Sequence, residues 1–170
     1  MAIGRKFDYP PLLPPGRHFV DLMSVKKMFL DTQKNTNERR NAYYRFEVLV
    51  QALMEAAINC EIWLNGSFLT EKPDPSDTDV TVILEKDVAS SLSQTQRDII
   101  DRIEQGRFLE NLDSFVFVRL LRDDEGFGDD FVDPAYTWGE QYGCQNDQQY
   151  LKGYVVLRLG ENHVGLRICS

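Results

Sequence analysis

Apolar and polar residues trade places at every second position in two stretches of the chain. Ile62 and Leu64 alternate with Glu61, Trp63 and Asn65, while Thr78, Val80, Val82 and Leu84 alternate with Asp77, Asp79, Thr81 and Ile83. Successive side chains on a strand point to opposite faces, so this period predicts two strands, the first half-buried. Phe115 to Leu121 reads as a third. Elsewhere the period lengthens to that of a helix. Phe46, Leu49, Val50, Leu53, Ala56 and Ala57 fall on one face of a helix expected from about Thr36 to Ile58, with Asn35 and Glu38 spaced as a capping pair. Ile99, Ile100 and Ile103 form a second stripe, with a cap at Ser91 and Gln94 and an end near Gly106. Phe19 to Leu30 fits a short amphipathic helix after a turn at Gly16, and Asp31 to Asn37 a polar loop. Asp133-Pro134 is a good helix start and Gly143 a good end. Two alternating runs around Gly160-Glu161-Asn162 predict a terminal β-hairpin over Gly153 to Ile168.

Together these elements predict an α/β (α+β) fold, a mixed β-sheet packed against helices with a C-terminal β-hairpin. One helix precedes the first strand and another joins the second to the third. The expected division is an N-terminal arm with its short helix over residues 1–35 and the main domain over 36–170. Pro10, Pro11, Pro14 and Pro15 keep the arm from being helical. It is expected to be extended, either packed as a structural lead-in or laid over a partner surface.

Composition narrows the function classes. A chain of 170 residues with 42% hydrophobic and 27% charged content fits one soluble globular domain. No apolar run reaches the length of a membrane span, and Met1 to Pro10 lacks the apolar core of a signal peptide, so a cytoplasmic location is expected. Cys60, Cys144 and Cys169 are too scattered for a disulfide framework or zinc site, and His18 and His163 alone exclude a multi-histidine centre. The net charge of −8, without a stripe of Lys and Arg, argues against an extended surface that tracks nucleic acid. Arg39 and Arg40 are read as a solvated helix face, with phosphate contact as the other possibility. Asp123 to Asp133 gathers six acidic residues and two glycines, the composition of a solvated loop.

The candidate chemistry lies between the first two strands. Gly66-Ser67 ends the first, and after nine intervening residues Asp77-Thr78-Asp79 opens the second. A glycine there lets a polyphosphate approach the backbone, and amide N–H groups with the Ser67 hydroxyl can bind its oxygens. Asp77 and Asp79 share one strand face, with Cβ atoms about 6.5–7 Å apart. Such a pair suits Mg2+, or Mn2+, which takes hard oxygen ligands from one or two carboxylates and from substrate phosphates.

An apolar strand, Gly-Ser, about ten residues and then Asp-x-Asp leading into an apolar strand resembles the signature of the DNA polymerase β-like nucleotidyltransferase superfamily. More narrowly, Pro10 to His18, Leu64-Asn65-Gly66-Ser67-Phe68 and Lys152-Gly153 are similar to a bacterial family of small nucleotidyltransferase-like proteins. The resemblance implies that Gly66 and Ser67 bind the phosphates of a nucleoside triphosphate such as ATP and that Asp77 and Asp79 hold the metal. It also implies a third carboxylate from a later strand, for which Asp113, of the right parity to share a face with Phe115 and Phe117, is the candidate. The implied reaction moves a nucleoside monophosphate to a hydroxyl of an RNA, protein or small-molecule acceptor. Trp138, with Tyr136 and Tyr142, is either core packing or a surface on which a base stacks. Two other readings stand beside transfer. One is a catalytically weakened nucleotide- or protein-binding half of a bacterial two-component system, such as a toxin–antitoxin pair. The other is an interaction module that docks on a protein partner.

Overall fold

The computed structural model describes residues 9–31, 33, 36–120 and 152–160. In chain order they form β1 (Gly16–Phe19), α1 (Leu22–Lys26) running into a π-helical turn (Lys27–Asp31), and α2 (Asn37–Glu55). β2 (Cys60–Asn65), a 3-10 turn (Ser67–Leu69), β3 (Thr78–Glu85), α3 (Lys86–Ser91), α4 (Gln94–Glu104), β4 (Leu112–Arg119) and β5 (Gly153–Leu159) follow. The strands make one mixed sheet in the order β1-β5-β2-β3-β4. β2 is antiparallel to both β3 and β5, while the outer pairs, β1 with β5 and β3 with β4, are parallel. The α/β expectation is met, including the helix before β2 and the helical connection between β3 and β4.

Local chemistry moves several boundaries. α2 is capped by Thr36, whose hydroxyl accepts from Arg39 N at 3.2 Å, and not by Asn35. It ends at Glu55 because Ala57 turns left-handed (φ 52°), so that its N–H reaches Met54 O and the Ile58 N–H reaches Leu53 O. α4 starts at a full capping box, with Ser93 and Gln96 exchanging hydrogen bonds, two residues beyond the expected Ser91. The preceding Lys86–Ser91 forms the unanticipated α3. β4 begins at Leu112, so Asp113 lies inside the strand. At the front, β1 stands where a turn and the start of a helix were expected. The expected helix at Asp133-Pro134, the aromatic trio on it, the acidic loop, the second arm of the hairpin, Cys144, Cys169 and His163 lie outside the described residues.

Helices α2 and α4 cover one face of the sheet. Thr78 Oγ1 donates to Ala42 O on α2 at 3.1 Å, and Ser114 Oγ to Ile103 O on α4 at 2.6 Å. Thr78, Val80, Val82 and Leu84 therefore point into the helical layer, where Phe46, Leu49, Val50 and Leu53 are fully buried. Each such side chain contributes roughly 1.5–3 kcal/mol through burial. β2 proves to be a central strand buried on both faces, Trp63 as completely as Leu64. Cys60 is a free, buried thiol whose pKa burial pushes up to about 12, with the Glu61 charge adding to the shift. Among the described residues no helix is long and apolar enough to cross a membrane.

Candidate functional site

Because Thr78 is spent on α2, the residues on either side of it, Asp77 and Asp79, are turned to the opposite face of the sheet. β2 delivers the chain to the same end of that face. Asn65, its last residue, pairs in register with Asp79, so the next residue, Gly66, meets the carboxylate. Gly66 adopts φ 80°, ψ −162°, a conformation open essentially to glycine alone. An added Cβ would run into the Asp79 carboxylate and come within 2.6 Å of its Cγ. Ser67 then opens the 3-10 turn and donates its hydroxyl toward Asp77 Oδ1 at 3.4 Å. Gly66, Ser67, Asp77 and Asp79 thus meet at one corner.

Asp113 is level with that corner. Asp79 and Asp113 are register partners on the parallel strands β3 and β4, and Asp113 is exposed. The alignment is fixed at its start by Thr78 N donating to Asn111 O at 3.1 Å, with Asn111 in a left-handed conformation (φ 57°). The three carboxylates do not close on a common point. Among the described residues no group of three or more His, Cys, Asp or Glu side chains is disposed to hold a metal ion.

A second feature completes the corner. Asn65 is 3% exposed, and its Oδ1 has no hydrogen-bond partner; Arg45 Nη1 is the other such buried atom among the described residues. The donor set is therefore two carboxylates, a hydroxyl and an unpaired amide oxygen around a glycine cradle. All are hard oxygen ligands, which fits Mg2+ or Mn2+ with waters and substrate phosphates filling the remaining positions. Two neighbouring carboxylates also favour a cation between them by charge attraction.

The turn is held from behind. Arg39 is buried, and its guanidinium donates to Phe29 O and Phe68 O, both at 3.1 Å, to Lys72 O at 2.9 Å and to Thr70 O. Its ring-face contact with Phe68 spans 5.5 Å. Burial lowers the pKa of the guanidinium, which remains charged. The expectation of a solvated Arg39 is thus corrected, while Arg40 is exposed as expected and bonds Asn37 Oδ1 at 2.6 Å. On the other flank the proline arm lies along the same segment, with Leu12 N donating to Leu69 O at 3.0 Å and Glu71 N to Pro10 O at 2.9 Å.

Over residues 5–158 the sequence matches a family described as a family of unknown function, DUF6932. The chain belongs to DUF6932. No curated protein and no solved structure matches it. In this DUF6932 chain, Asn65 and Arg39 are the site residues that sequence reading missed. Arg39 carried a signal: a cation in the first turn of a helix is opposed by the helix dipole and needs carbonyls or anions to compensate it. Asn65 carried only its place, a polar residue ending an apolar strand.

Proposed function

We propose that this DUF6932 chain is a metal-dependent nucleotidyltransferase that moves a nucleoside monophosphate from a triphosphate to a hydroxyl of an RNA, protein or small-molecule acceptor. One observation carries the reading: the glycine corner abuts the Asp79 carboxylate while Ser67 contacts Asp77. In this reading Gly66 gives the polyphosphate access to backbone amides, and the Ser67 hydroxyl turns from Asp77 to a phosphate oxygen. Asp77 and Asp79 hold the metal. A bound Mg2+ or Mn2+ would lower the pKa of the attacking hydroxyl and neutralise the leaving pyrophosphate. The acceptor oxygen bonds to the α-phosphorus as the bond to the bridging oxygen of the β-phosphate breaks, and pyrophosphate leaves. Asp113, exposed and level with Asp79, takes the hydroxyl proton or serves as a further ligand. The protein would work in the cytoplasm.

The test is incubation with each α-labelled triphosphate, Mg2+ or Mn2+, and total RNA and protein extract. Label should appear on one acceptor class and be abolished in Asp77→Asn and Asp79→Asn, with unfolding free energy within about 1 kcal/mol of the parent. Equal labelling in either variant rules the mechanism out. A second reading, a weakened nucleotide- or protein-binding component of a two-component system, is favoured by the absence of a three-carboxylate cluster among the described residues. Calorimetry separates the two: triphosphate binding with Mg2+ but no pyrophosphate release supports the binder.

A further inference from the structure

We infer that the Asn65 side-chain oxygen is a third protein ligand of the divalent cation, in the role that the resemblance assigns to a third carboxylate from a later strand. The inference rests on the metal-binding reading of the Gly66 corner.

Asn65 and Asp113 flank Asp79 on the two neighbouring strands, each in register with it and on its face of the sheet. They differ in surroundings. Asp113 is exposed, where water satisfies a carboxylate at little cost. Asn65 is 3% exposed and keeps an acceptor without a donor. A buried acceptor left unpaired opposes folding, so its retention points to a partner that arrives after the chain has folded. Two classes of partner satisfy an amide oxygen: a proton donor or a cation. Asn65 has Asp79 as its register partner, and the Ser67 hydroxyl at the corner already donates to Asp77; both carboxylates attract cations. An amide oxygen is also a hard ligand that adds no charge. Two carboxylates and a neutral oxygen match a dication that must still accept anionic phosphate, whereas three carboxylates would leave the site more negative toward the triphosphate.

The experiment is titration of the full chain with Mn2+, following free Mn2+ by electron paramagnetic resonance, with thermal unfolding with and without the ion. The parent, Asn65→Leu, Asn65→Asp and Asp79→Asn are compared. Asn65→Leu should weaken Mn2+ binding about tenfold or more, while its unfolding midpoint without metal stays equal or rises, because an unpaired acceptor has been removed. A purely structural asparagine gives the reverse, unchanged Mn2+ affinity and a lower midpoint, and that result overturns the inference. Asn65→Asp should bind Mn2+ more tightly than the parent and show a larger gain in midpoint on adding the ion. If Asn65→Leu does not fold, this arm decides, and no tightening overturns the inference. Should the parent bind Mn2+ no better than Asp79→Asn, the metal-binding reading itself falls. Loss in Asp79→Asn with none in Asn65→Leu removes only the role of Asn65.

Discussion

Gly66 leaves no room for a Cβ between its backbone and the Asp79 carboxylate, which makes the glycine the sharpest single-residue test. Gly66→Ala forces a side chain into a backbone conformation that excludes it and drives its Cβ into a carboxylate. The conformational cost alone is about 1–3 kcal/mol. Urea unfolding should therefore show a loss of at least about 2 kcal/mol, and calorimetry should show no triphosphate binding even where the variant is folded. A variant as stable as the parent would mean that the corner relaxes freely and that Gly66 is not the cradle. Gly66, Ser67, Asp77 and Asp79 were legible in the sequence because strand parity is local: alternation around Thr78 is enough to put both aspartates on one face. Asp113 followed by the same parity. Asn65 did not, because its meaning depends on register with Asp79, set by pairing between two strands and not by either alone.

Among the elements, the turn from Ser67 to Lys72 depends on supports distant in the chain. Arg39 reaches its carbonyls from α2, and Pro10 and Leu12 bond it from the arm. Arg39→Met leaves several buried carbonyls without their donor, at a cost of roughly 3–5 kcal/mol. Arg39→Lys keeps the charge but loses the planar fork, and should recover only part of that. Hydrogen exchange at the amides of Leu69, Thr70 and Glu71 should accelerate in both variants, with triphosphate affinity falling in parallel; unchanged exchange would show that the arm alone holds the turn. The helices α2 and α4 were legible from their apolar stripes, with caps displaced by one or two residues because several Ser, Thr and Asn compete near each start. β1 was not legible. Its four residues find their strand partner in β5, and Arg17 Nε meets the Tyr154 hydroxyl at 2.7 Å across 137 positions of sequence.

Across the whole molecule, the sheet face opposite α2 and α4 is polarised along the strands, with the Asp77, Asp79 and Asp113 carboxylates at one end and a network of paired charges at the other. At the paired end Glu61 accepts from Arg158 Nε at 2.8 Å, from Arg119 Nη2 at 3.1 Å and from Trp63 Nε1 at 3.2 Å, and Arg119 also bonds Glu85 at 2.6 Å. One carboxylate thereby joins three strands of the sheet, β2, β4 and β5. Burial opposes its charge, but the hydrogen bonds from Arg158, Trp63 and Arg119 outweigh that and hold its pKa below the ordinary 4.5. A depressed folded-state pKa stabilises the protein above the unfolded-chain value and ceases to do so as the pH falls through the folded one. The contribution of Glu61 is therefore full at pH 7 and fades below about pH 4.5. Glu61→Gln leaves two arginines facing a neutral amide and should cost roughly 2–3 kcal/mol at pH 7. In urea midpoints measured from pH 7 to pH 3, the gap between parent and variant should narrow steadily on the acid side. Parallel curves would mean that Glu61 titrates alike in folded and unfolded chains, and the clamp joining the three strands would then have to be apolar. Variants at the two ends of the face should therefore differ in their response to a divalent cation: Mn2+ should raise the midpoint of Glu61→Gln as much as that of the parent but not that of Asp79→Asn, because the corner proposed to bind it lies at the far end of β2 and shares no ligand with the clamp.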